Sequence, residues 1–141
     1  MTTKGKIHES CVRSVMLYGS ETWGVKEEDL VKLERNENAM IRWICGVTVK
    51  DRVASRELRD KLGLENIRSV VQRRRLRWYG HVKRMEVGSC VRRSREIQAP
   101  GTRRRCRPRK TWDEVVRNDL KVKALQPALA QDRARWRRAI M

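Results

Sequence analysis

The chain has 141 residues, with 35 Lys and Arg against 17 Asp and Glu, and a formal net charge of +18. Leu, Ile and Val fill 31 positions and Phe none, which leaves room for one domain with a thin apolar core, close to the composition at which like charge keeps a chain unfolded. No apolar run approaches the ~20 residues that span a bilayer, residues 1–10 lack the apolar segment of a signal peptide, and Cys11, Cys45, Cys90 and Cys106 are too scattered for paired zinc ligands or a disulfide framework.

The apolar pattern is helical throughout, so an all-α fold of about six helices is expected. Ile7, Cys11, Val15 and Tyr18 recur at four- and three-residue steps and stop at Gly19. Leu30, Leu33, Glu37, Met40, Ile41 and Ile44 form a second stripe, closed by Gly46, with Glu27, Glu28 and Asp29 where acids suit the helix dipole. Ser55 is placed to cap a short third helix ending at Gly63, and Asn66 a long fourth one from Ile67 to about Met85. Residues 87–110 hold Pro100, Gly101 and Pro108 without an apolar period and read as a basic irregular linker or arm. The segment Thr111-Trp-Asp-Glu is a capping box that opens a fifth helix. Pro127 fits the first turn of a sixth, with Leu129, Arg133, Trp136 and Ile140 on one side. Three regions follow: a helical region 1–86, the basic arm 87–110 and a C-terminal helical pair 111–141.

The charge is unevenly spread. Residues 1–67 carry 12 bases and 11 acids, whereas residues 68–110 carry 16 bases and only Glu86 and Glu96. Such a block repels itself unless a polyanion neutralises it. Two elements hold it. On the fourth helix, Ile67, Val70, Val71, Trp78, Val82 and Met85 share an apolar arc, and Arg73, Arg77 and Arg84 a polar one, with Gly80 beside it. No acid lies between Asn66 and Met85 to pair with these arginines at i, i+4. A guanidinium row can follow a nucleic-acid backbone, and a glycine lets a partner come close; the competing reading is a solvated face. The second element is the arm, with Arg103, Arg104, Arg105, Arg107, Arg109 and Lys110 leading into the Thr111 cap. It reads as a nucleic-acid arm anchored to a folded helix, compatible with a nuclear-localisation signal.

Other residues point to structure. His81 falls within the apolar arc and is expected to be a hydrogen-bonded core histidine. Trp78 and Trp112 lie on apolar helix faces, where packing outweighs base stacking as an explanation. Glu27–Asp29 and Asp113–Glu114 read as dipole and cap chemistry, not as the carboxylate cluster of a two-metal polymerase or nuclease. No catalytic residue, metal site or cofactor is expected.

The segments VRSVMLYGSETW (12–23), LRWYGHVKRM (76–85), RRRCRPRKTW (103–112) and DRARWRR (132–138) occur in that order. Together they resemble the region downstream of the polymerase core in reverse transcriptases of non-LTR (LINE-type) retrotransposons. The resemblance implies thumb-like and post-thumb helices in residues 1–86, followed by a segment that holds RNA or DNA. It also implies a fragment without its own palm, fingers or endonuclease: the family's Tyr-x-Asp-Asp turn is absent here. Ser14 stands where the family often has Pro, and Cys106 where it often has Gly. The implied partners are RNA, DNA and the palm and finger portion of a parent polymerase, and no membrane. The expected function is backbone contact with nucleic acid, without enzymatic activity, in the nucleus or cytoplasm. The alternative is a protein-interaction module or a non-functional remnant of an element.

Overall fold

The computed structural model describes residues 2–97 and 110–141. It is all-α, with no strand among the described residues. The chain divides into two compact units: residues 1–20 with 25–72, and residues 21–24 with 73–141.

In the first unit, α1 (Thr3–Ile7), a π-helical turn (His8–Val12) and α2 (Arg13–Met16) follow without a break. The Thr2 hydroxyl caps α1 by accepting from the Gly5 amide at 3.1 Å, and Gly5 lies so close to the Leu62 carbonyl that any Cβ there would overlap it. The long α3 (Glu27–Cys45) ends at Gly46 and α4 (Ser55–Leu62) at Gly63, both in the left-handed conformation that glycine adopts without strain. Ser55 is the first residue of α4 and not its cap; its hydroxyl accepts from Arg42 at 3.1 Å. Asn66 does cap α5 (Ile67–Arg84), its Oδ1 accepting from the Arg68 amide at 2.9 Å. Leu17, Ile67, Val70 and Val71 form one core cluster with Leu30 and Leu33 beside it, and Ile41, Leu58, Leu62 and Leu64 form another.

The expected apolar face of the N-terminal segment is on the outside. Ile7, Val15 and Tyr18 are 56, 77 and 85% exposed, and Cys11 is exposed as well. The buried side chains are His8, Arg13 and Leu17. Arg13 Nε donates to Glu37 Oε1 at 2.6 Å and its Nη2 to the Glu65 carbonyl, so a buried carboxylate in the α3 stripe meets a buried guanidinium.

His8 is enclosed, and neither ring nitrogen has a hydrogen-bond partner among the described residues. Burial lowers its pKa from 6.5, opposed by Glu37, reinforced by Arg13 and opposed by Glu9. Below about pH 6.5 the unfolded chain therefore takes up a proton that the folded one resists. Stability is expected to be full above that pH and to fall as the pH drops through it, by at most ~1.4 kcal/mol per pH unit for one proton. Denaturant titrations across this range check it: His8→Gln should flatten the dependence.

The second unit is built on the latter part of α5, with α6 (Cys90–Glu96), α7 (Trp112–Val122), a 3-10 turn (Pro127–Gln131) and α8 (Arg133–Ala139). α6 opens inside the stretch read as a linker: Ser89 caps it, accepting from the Arg92 amide at 3.3 Å, and Arg92 Nη1 donates to the Met85 carbonyl at 3.2 Å. The capping box of α7 is complete, with Glu114 N to Thr111 Oγ1 at 3.3 Å and Thr111 N to Glu114 Oε2 at 3.0 Å. The expected sixth helix is split, because Asp132 adopts an extended conformation and caps α8 by accepting from the amides of Ala134 and Arg135.

Leu76, Tyr79, Val116, Leu120, Ala130, Trp136 and Ile140 form the core of this unit, with Trp112 packed against it. Trp136 Nε1 donates to the Leu76 carbonyl at 3.0 Å. The indole lies where a Cβ on residue 80 would have to be, so Gly80 serves an internal contact and not the approach of an external partner. Arg75 Nε and Asp119 Oδ2 form a buried ion pair at 2.6 Å.

Candidate nucleic-acid interface

Helix α5 presents Arg74, Arg77, Trp78, His81 and Arg84 at steps of three and four, which places them on one face. α8 presents Arg133 and Arg137 four residues apart, with Trp136 and Ile140 turned toward the core. These side chains and Glu21 line a groove of about 810 Å³ within the second unit. Five arginines against one glutamate give it a strongly positive field.

The arginines differ in their bonding. Arg84 Nη1 donates to the Ala130 carbonyl at 2.6 Å, which ties α5 to the turn before α8. Arg77, Arg133 and Arg137 make no ion pair or hydrogen bond through their guanidinium groups among the described residues. Arg77, Arg133 and Arg137 are exposed. Held on two helices that are fixed to each other by a shared core, they form a set of phosphate-compatible donors.

No protein-family model, curated protein or solved structure matches the chain.

Of the three helix arginines expected to form a row, Arg77 and Arg84 line the groove and Arg73 does not. Arg103, Arg104, Arg105, Arg107 and Arg109 lie outside the described residues. Lys110 is exposed, just ahead of the Thr111 cap; its backbone carbonyl lies beside Gly24, where a Cβ would approach it to 3.0 Å. The periodicity of α5 alone contained a signal for Arg74 and His81, at i, i+7. Arg133 and Arg137 carried none, because what brings them to α5 is the burial of Trp136 against Gly80.

His81 is a correction. It is exposed, and its ring lies 5.3 Å from that of Trp78 at 43°. Trp78 is another: it lines the groove and belongs to no core cluster. The reason lies in α5 itself. Ile67, Val70 and Val71 are buried on one side, but Leu76 is on the opposite side of the helix from Ile67 at about 100° per residue, and Tyr79 joins Leu76 in the second core. The face buried in the first turns is therefore not the one that Leu76 and Tyr79 bury, and a single apolar arc drawn along the helix misplaces Trp78. Trp112, by contrast, packs as expected, with its Nε1 donating to the Glu21 carbonyl at 2.7 Å and the Arg95 guanidinium 4.9 Å above the ring.

Among the described residues no group of three His, Cys, Asp or Glu side chains is placed to hold a metal ion, and no helix is long and apolar enough to cross a membrane.

Proposed function

We propose that the chain binds nucleic acid through its phosphate backbone, as a segment akin to the region after the polymerase core of non-LTR reverse transcriptases. The observation that carries this is the groove between α5 and α8, where Arg77, Arg133 and Arg137 have no protein partner among the described residues and five arginines face one carboxylate. Guanidinium groups held at such density by a folded core are stabilised by a polyanion. The arm from Arg103 to Lys110 adds further charge to the same function. The chain is proposed to be non-enzymatic and to act in the nucleus or cytoplasm, with the palm and fingers of a polymerase as its protein partner.

The test is the salt dependence of binding to a short single-stranded oligonucleotide. The parent should lose affinity linearly in log–log form. The triple variant R77Q/R133Q/R137Q should bind more weakly, with a slope shallower by roughly 2, at ~0.7 per lost phosphate contact on a single strand. Its helicity should be retained, since the three side chains are exposed. Unchanged affinity and slope in a folded triple variant would remove the groove from the binding surface.

A further inference from the structure

We infer that the groove takes an unpaired strand, with a base set against the Trp78–His81 pair and neighbouring phosphates on Arg77, Arg133 and Arg137. This rests on the backbone-binding reading above and adds the form of the nucleic acid to it. Trp78 sits in a helix that supplies two cores and joins neither; its ring is left against a charged groove. One turn on, the exposed His81 ring lies 5.3 Å away and tilted by 43°, so the two rings form a small aromatic corner and not a closed stack. The arginines stand on both sides of that corner, on α5 and on α8.

Aromatic surface among phosphate donors suits a strand that offers a π-face and a phosphate at once. In a duplex the faces of the bases are covered by their neighbours, and only the backbone and the base edges are on offer. The size agrees: about 810 Å³ falls in the range of cavities that hold one small molecule. A nucleotide unit fits within it, whereas a double helix can only rest across its mouth.

The experiment compares three probes on the whole chain: a short oligothymidylate, a strand of the same length made of abasic sugar–phosphate units, and a duplex of the same length. The first two carry the same phosphates and differ only in bases. The oligothymidylate is expected to bind roughly 5- to 150-fold more tightly than the abasic strand, the span for one stacked base, with parallel salt slopes. Trp78→Ala, and separately His81→Ala, should bring it down toward the abasic strand while the duplex affinity holds; Trp78→Phe should restore most of the difference. The abasic comparison on the parent chain needs no variant, so a Trp78→Ala protein that fails to fold leaves the test intact. Equal binding of the two strands, with both weakened by R77Q/R133Q/R137Q, overturns the base site and leaves the backbone groove standing. Binding to every probe that ignores the triple substitution overturns the groove itself.

Discussion

Glu37→Ala is expected to destabilise the first unit by about 3–5 kcal/mol, the range for removing one partner of a buried ion pair. Arg13 is 2% exposed and Glu37 fully buried. Truncating the carboxylate leaves a guanidinium in the interior with only the Glu65 carbonyl as an acceptor. Against a typical domain stability of about 5–15 kcal/mol, that is a large fraction. The double variant Arg13→Met/Glu37→Leu should regain most of the loss, because it removes both charges and fills the space with apolar atoms. Denaturant midpoints followed by circular dichroism separate the two results. A double variant as unstable as the single one would show that the pair is not what holds α2 and α3 together.

Gly80→Ala is expected to destabilise the second unit, against the usual sign. In an exposed helix interior the change stabilises by about 1 kcal/mol. Here the new methyl overlaps the Trp136 indole. Overpacking of this kind costs about 1–3 kcal/mol. If the ring moves, its Nε1–H also leaves the Leu76 carbonyl 3.0 Å away, and a buried donor without an acceptor costs about 1–3 kcal/mol more. The same displacement shifts α8 and its Arg133 and Arg137, so oligonucleotide affinity should fall with the melting temperature. A variant at least as stable as the parent would mean that the indole has room to withdraw.

Local signals in the sequence hold at most positions where the chemistry is local, with Ser55, which begins α4 without capping it, as an exception. The Thr111 capping box, the Asn66 cap and the glycines at 46 and 63 concern residues within a few positions of one another, and each stands where its pattern placed it. Faces were harder to read. The spacing of Ile7, Cys11, Val15 and Tyr18 is helical, but it does not say which side is covered. That was decided by Glu37, 24 residues from Arg13, and by the Glu65 carbonyl, 52 residues away. The π-helical turn at His8–Val12 also alters the phase along which such a stripe is drawn. The groove was half legible. Arg77 and Arg84 stand out in a helix without acids, but Arg133 and Arg137 reach it only through the fold. The spacing of α5 suggests one buried face, which would put Trp78 and His81 in a core, whereas the two cores bury different faces of the helix.

That double use of α5 constrains how such a chain can vary over time. Ile67, Val70 and Val71 complete one core, and Leu76 and Tyr79 the other, with the change of face falling within a single helix. Inserting or deleting one residue between Val71 and Leu76 would turn everything after it by about 100°. Placed between Arg75 and Leu76, such a change would take the Arg75 guanidinium off Asp119 while Leu76 and Tyr79 keep their core. Length changes should therefore be purged from this stretch and tolerated better in connections such as residues 48–52, which are exposed.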